Sequence, residues 1–534
     1  MKSIKKLLYF FILILVFNDV SGQKPTTIPP EVNQWMRAEL QKGENKKPLS
    51  SYHNDDLFFS TDSATVVGYL KGYKRSEGFK TGMIYMENEF SRIDHPVVVK
   101  IFEDGRFKAR IPMWYPKIVG MDFNNQWLSF YIEPGQALGL VIDWMVFRKN
   151  EKPETIQFHG PLAAINRNRH SIPVFKTDPE WLTRQARKVD PVEFKKETLK
   201  VWDDQSRVLD SILLNHRADE KQKALAHAEL NVNMLMRLHG YAAERANERT
   251  SGSSNMVLQT ELPPDFYDFI NRISPEDNGI FVPDNFNFFI TQMEYGPLVK
   301  AANLPDSELW MNGIAKVVRL GKARDSIAHH ELYLRYGKLY DLIRLHRLYR
   351  SFDVDLRTVD KDSLVTYCST MVNGLYSPFY RRQGEIIVNE GIRRNEGRGV
   401  PLPVSYAGAL FKELIAPYAG KMIFVDFWST TCGSCISDIQ SMNATREKFK
   451  NSKDFVFLFI TSKDESPKRA YQSFVQKQHL ENTIYLSGDD YRYLRELFGI
   501  YGIPAYAIVS KTGEILNRKS EPHEFMTEIK KLTL

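Results

Sequence analysis

Residues Ile423 to Ile439 read IFVDFWSTTCGSCISDI. The first half is a run of β-forming residues, Ile423, Phe424, Val425, Phe427 and Trp428. Such side chains fit a pleated, half-buried surface. A short polar turn follows, then Cys432-x-x-Cys435, then a segment of helical character. A strand that delivers a C-x-x-C to the start of a helix is the arrangement for reversible dithiol–disulfide chemistry. The two thiols are therefore the first candidate site.

At 534 residues the chain exceeds one hydrophobic core, and about three or four domains are expected. A hydrophobic share of 43% with 26% charged residues is ordinary for globular protein. The net charge of +7 is spread along the sequence, and Lys2, Lys5 and Lys6 supply part of it. Such mild basicity is only a weak sign of a nucleic-acid partner; a solvated surface is the reading, and no nucleic-acid partner is expected. Three cysteines are too few for a disulfide-stapled scaffold or a four-cysteine zinc site. Three cysteines with a histidine remain open by arithmetic, but no second C-x-x-C or spaced histidine pair follows Cys368. Adjacent His329 and His330 point to different helix faces, and neither they nor His346 have a carboxylate at a ligand spacing. No metal and no cofactor are expected.

Met1 to Gly22 begins with a positive region, continues with the apolar run Leu7 to Phe17 and ends in the small-residue exit Val20-Ser21-Gly22. This is the secretory signal pattern, with Gln23 the expected mature N-terminus. The apolar run is well short of the roughly twenty residues that span hydrocarbon. An uncleaved anchor is the alternative. The expected location is periplasmic or extracytoplasmic, where disulfides persist and a lone dithiol needs a redox partner.

The rest divides by pattern. Residues 23–60 form a polar lead-in. Short β-rich runs separated by Glu103-Asp104-Gly105, Asn124-Asn125 and Pro134-Gly135 predict an all-β sandwich over 61–165. Helical periodicity dominates 170–395, with continuous stretches expected from Pro191 to Asn247, Ala328 to Tyr349 and Ser363 to Glu390. Cys368 falls mid-helix and reads as a small core residue, with a third redox thiol as the alternative. A Gly- and Pro-containing boundary precedes residues 400–534, where strands alternate with helices and a hairpin crosses Lys511-Thr512-Gly513. A helix from Glu521 to Leu532 is expected to close the chain. The predicted fold class is multidomain: an N-terminal all-β sandwich, a central all-α region and a C-terminal α/β unit.

The last unit resembles the thioredoxin superfamily, and within it the secreted TlpA/ResA-like thiol–disulfide oxidoreductases. The resemblance rests on Gly420-Lys421, Val425-Asp426-Phe427-Trp428, Cys432-Gly433-Ser434-Cys435, Gly502-Ile503-Pro504 and Lys511-Thr512-Gly513. The strand-rich region is similar to a β-sandwich module of unknown function found ahead of such domains, through Asp104-Gly105-x-Phe107 and Phe130 to Gly135.

The resemblance implies an enzyme with a thioredoxin-like fold and a redox disulfide, Cys432–Cys435. Cys432 would be the nucleophile, Cys435 the resolving thiol and Asp426 a candidate proton relay. Pro504 would be cis and face the cysteines, leaving the Ile503 backbone to pair with a substrate strand. Thr431 joins them as a substrate-contacting residue. It replaces the family's usual Trp, and Ser434 replaces the usual Pro of the dipeptide. Asp438 keeps an acidic position, and Gln440 replaces the Pro that often follows it. The implied partners are protein disulfide substrates and a membrane electron donor of the DsbD/CcdA type. Two alternatives stay open: a disulfide oxidase or isomerase, and an envelope binding protein whose thioredoxin-like domain is secondary.

Overall fold

The computed structural model describes residues 28–42, 46–91, 93–150, 155–172, 178–250, 256–298, 312–353, 359–396 and 398–518. The expected signal segment and the closing helix lie outside these residues.

Among the described residues, ten strands form the strand-rich region: β1 (Ser63–Lys71), β2 (Thr81–Tyr85), β3 (Glu87–Asn88), β4 (Ile93–Asp94), β5 (Val97–Ile101), β6 (Arg106–Pro112), β7 (Lys117–Phe123), β8 (Gln126–Ile132), β9 (Ala137–Asp143) and β10 (Ile156–His159). β3 and β4 pair with each other, and the other eight strands form one sheet in the order β10-β9-β1-β6-β5-β2-β7-β8. The β1–β9 ladder is parallel and the remaining ladders of this sheet are antiparallel. β6 and β7 lie three places apart, which in a flat sheet would be about 14 Å. Yet Phe107 of β6 meets Phe123 of β7 with ring centroids 5.1 Å apart. The sheet therefore curls over itself, and the sandwich is built from one continuous sheet with facing halves. The β7–β8 hairpin turns on Asn124 and Asn125, with φ of 49° and 63°. Asparagine tolerates this left-handed region better than most residues.

The helical region does not pack by itself. Phe59, ahead of β1, stacks on Phe379 at 4.8 Å, and Phe90 lies 4.9 Å from Tyr380. One contiguous core runs from Tyr52 through the sheet to Val388. A helix in the lead-in, Pro30–Gln41, buries Met36 and Leu40 against Val67 and Val141 on the sheet's other face.

The structure breaks each of the long helices expected from periodicity. Pro191–Asn215 and Glu220–Thr250 are separated at Arg217, whose φ is +50°. Gly313–His330 and Lys338–Asp353 are separated by a turn with Tyr333 and Gly337 at positive φ. Lys361–Asn373 and Pro378–Asn395 part where Pro378 starts a new helix. Proline is well placed in a first helical turn and disruptive further in. Cys368 is buried on Lys361–Asn373.

The C-terminal sheet contains β11 (Met422–Phe427), β12 (Phe455–Ser462), β13 (Thr483–Leu486), β14 (Ala505–Val509) and β15 (Ile515–Asn517) in the order β13-β12-β11-β14-β15. β11, β12 and β13 are parallel; β14 and β15 run antiparallel to their neighbours. Every residue of central β11 is buried, as expected for a strand covered on both faces. Ile423, Val425 and Phe427 join a cluster with helices Tyr406–Ile415 and Gly488–Phe498. Met422, Phe424 and Trp428 join the opposite cluster with Cys435 and Ile439. Side chains alternate along a strand, so Asp426 belongs to the cysteine-bearing face.

Candidate active site

The turn after β11 is clipped at both ends. Trp428 donates its amide to the Ile460 carbonyl at 3.1 Å, carrying the ladder one residue beyond the strand. The Thr430 amide donates to Ser466 Oγ at 3.0 Å, and buried Ser466 lies 2.9 Å from Thr461 Oγ1. Thr431 Oγ1 donates to the Glu465 carbonyl at 3.3 Å. Chain direction is thus set before the cysteines are reached.

Cys432 is the N-cap of helix Gly433–Ser441. Its extended backbone (φ −94°, ψ 103°) turns the side chain back, and the Cys435 amide donates to its Sγ at 3.2 Å. An N-cap acceptor satisfies one of the orphan donors of a first helical turn. Those donors and the helix dipole favour negative charge at this sulfur. Ser434 Oγ lies 3.4 Å from the same sulfur. Cys432 and Cys435 form a disulfide. Cys432 is half-buried, whereas Cys435 is 1% exposed. Access therefore separates the two sulfurs.

The remaining site residues come from several places in the chain. Ile503–Pro504 is a cis peptide. Ile503 is half-buried and packs against the cluster that contains Cys435 and touches Cys432. Thr431 is exposed beside Cys432. Trp428, fully buried under the turn, packs on Phe474 at 5.0 Å.

Asp426 is 1% exposed, and neither carboxylate oxygen has a hydrogen-bond partner among the described residues. Burial raises its pKa well above the carboxylate range, and the charge of Asp438 pushes the same way. Arg446 opposes them more weakly. An acid so placed holds its proton until the pH is well above the ordinary carboxylate value. Sequence reasoning missed Tyr506, which pairs with Asp426 across the β11–β14 ladder and donates its hydroxyl to Asp438 Oδ2 at 2.7 Å. Its position two residues after Pro504 was the available signal. Arg446 and Ser466 gave no signal beyond residue type.

The residues weighed for a metal lie elsewhere. His329 packs against Tyr340, and His346 bonds to Glu294 at 2.8 Å. Among the described residues no group of three or more His, Cys, Asp and Glu could hold a metal ion. Among them, too, no helix is long and apolar enough to cross a membrane.

The redoxin family model matches residues 412–531, which contain this whole arrangement. The C-terminal unit is a redoxin domain. It is an oxidoreductase unit with its two sulfurs at the start of a helix. Similar solved structures include the thioredoxin domain of a thiol-disulfide oxidoreductase from Bacteroides vulgatus, 21% identical, with 22% of this chain and 81% of that one covered and a TM-score of 0.20. A putative thiol-disulfide oxidoreductase from the same species is 27% identical over 22% of this chain and 82% of its own, with a TM-score of 0.19. A thiol-disulfide oxidoreductase from Bacteroides fragilis is 20% identical over 22% and 85%, again with a TM-score of 0.19. None of the curated proteins matches the chain. The redoxin assignment rests on the family match and the geometry of the cysteine helix.

Proposed function

We propose that the chain is an extracytoplasmic thiol–disulfide oxidoreductase that reduces protein disulfides through its Cys432-Gly433-Ser434-Cys435 motif. One observation carries this reading: Cys432 caps its helix and accepts the Cys435 amide, while Cys435 is buried one turn in. In the reduced form the helix start stabilises the Cys432 thiolate. That thiolate attacks one sulfur of a substrate disulfide. A new S–S bond joins Cys432 to the substrate, and the other substrate sulfur leaves as a thiolate that takes up a proton. Cys435 then loses its proton and attacks Cys432 Sγ, forming the Cys432–Cys435 disulfide and releasing the second substrate thiolate. Two electrons pass to the substrate, and each released substrate thiolate takes up a proton from water.

Asp426 manages the proton of the buried thiol in this scheme. Its ionised form accepts the proton of Cys435 during resolution, and its protonated form returns one when the disulfide is re-reduced. The backbone of Ile503 pairs with an extended substrate segment. Re-reduction draws on a membrane dithiol donor of the DsbD/CcdA type. The secretory pattern of residues 1–22 supports that location.

Dithiothreitol-driven reduction of insulin by the full chain tests the proposal. Turnover with the natural sequence and none with Cys432→Ser is the expected result. Equal activity in both would overturn it. A reduction potential near about −270 mV marks a reductant, and one near about −120 mV an oxidant.

A further inference from the structure

The redoxin domain is docked on the strand-rich region along helix Gly488–Phe498. Thr81 Oγ1 of β2 donates to Asp489 Oδ1 at 2.7 Å, and the Lys80 amide donates to the same oxygen at 3.0 Å. The Val98 amide of β5 donates to Glu496 Oε1 at 3.0 Å. Asp122 of β7 lies within the electrostatic reach of Arg492 and Arg495. The helix ends at Gly499, where φ is +66° and a Cβ would meet the Asp94 carbonyl oxygen at 2.7 Å. Both the backbone and the close approach require glycine there.

This docking continues into the thiol site. From Gly499 the chain runs through Ile500, Tyr501 and Gly502 to the cis Ile503–Pro504 bond. Arg495 holds the segment from its own helix: Nε donates to the Ile500 carbonyl at 3.3 Å, and a terminal N–H donates to the Tyr501 carbonyl. Tyr85 of β2 holds it from the sheet. Its ring meets Tyr501 edge-to-face at 5.0 Å and lies 5.6 Å from the Arg495 guanidinium. Behind it, Tyr85 stacks on Trp127 at 5.2 Å, and the Trp127 ring lies directly over Gly120 of β7. The support is thus built into the sheet. In front, Tyr501 is 45% exposed and a Cβ added at Gly502 would meet open space. A substrate strand can approach from that side.

We propose that Tyr85 is a positioning residue for the thiol site. By fixing the loop that precedes Ile503–Pro504, the strand-rich region favours extended polypeptide disulfides over small ones. The inference rests on the thiol–disulfide reading above. A polypeptide must pair with the Ile503 backbone while its disulfide reaches Cys432, and both need the loop in register. A small disulfide reaches the half-buried sulfur without that pairing. The contribution of Tyr85 therefore falls mainly on KM for polypeptides.

The test compares full-length Tyr85→Ala and Tyr85→Phe on insulin and on 5,5′-dithiobis(2-nitrobenzoate). Loss of one aromatic pair is expected to raise KM for insulin about three- to tenfold, with a smaller effect on kcat and on the aromatic disulfide. Tyr85→Phe should restore most of the loss. Tyr501→Ala removes the same contact from its exposed side and should reproduce the split if Tyr85→Ala fails to fold. Equal losses on both substrates, or insulin kinetics unchanged in Tyr85→Ala, would overturn the positioning role while leaving the redox reading intact. A natural chain inactive on both substrates would overturn the redox reading, and this inference with it.

Discussion

Two parts of the molecule bury acids, and they treat them differently. In the sheet-and-helix body, Glu89 accepts bonds from Tyr115 and Lys117. Glu133 accepts from Lys221 at 2.7 Å, the Tyr131 hydroxyl at 2.8 Å and the Leu49 amide at 2.8 Å. In the redoxin domain Asp426 is equally buried and accepts none from the described residues. Buried polar groups are nearly always partnered, so each exception asks for a reason. The satisfied acids join the N-terminal segment, the sheet and the helices into one core. The unsatisfied acid lies on the sheet face that carries the dithiol, where a retained proton has a chemical use.

The largest expected effect comes from breaking the satisfied pattern. Glu133→Leu strands the Lys221 ammonium in the core and should cost about 3–5 kcal/mol of stability. Chemical denaturation of the sheet-and-helix body would show it, and an unchanged midpoint would mean that the pair is not buried as described. The opposite change should act in the opposite sense. Asp426 has a folded pKa above its unfolded value. The stability contributed by its protonated form is therefore complete below the ordinary carboxylate range and is lost as pH rises through the raised value. Asp426→Asn should gain on the natural chain in thermal midpoint as pH increases, and the same variant should slow disulfide turnover by about 100-fold. Parallel stability curves with pH-independent, unchanged turnover would end the relay. A smaller effect is expected at Ser434, whose hydroxyl lies 3.4 Å from Cys432 Sγ. Ser434→Ala should slow iodoacetamide alkylation of reduced Cys432 by about three- to tenfold near neutral pH, the value of one net hydrogen bond. Unchanged alkylation would assign thiolate stabilisation to the helix start alone.

Much of the redoxin domain was legible because its signals are local. The β-formers, the C-x-x-C and the hairpin glycine occupy short windows, and alternation along β11 already separates Asp426 from Val425 and Phe427. The four-residue edge strand β13 was missed because Thr483–Leu486 is too short to show a period. Periodicity also ran through Arg217, since nothing in an arginine announces φ of +50°. The shared core was hidden for a different reason. Phe59 and Phe379 touch from opposite ends of two regions that read as separate by pattern. At the site, sequence placed Asp426 but could not show that it lacks a hydrogen-bond partner among the described residues. Nor could it show that Tyr506 reaches Asp438 from another strand. Those facts depend on which strands become neighbours.

The most direct test of the central claim is to trap the covalent intermediate. Cys435→Ser in the full chain, reduced and mixed with a polypeptide disulfide, should stall as a mixed disulfide. Peptide mapping should place the bond on Cys432. An adduct on Cys368, or no adduct while the natural chain turns over, would contradict Cys432 as the attacking thiol.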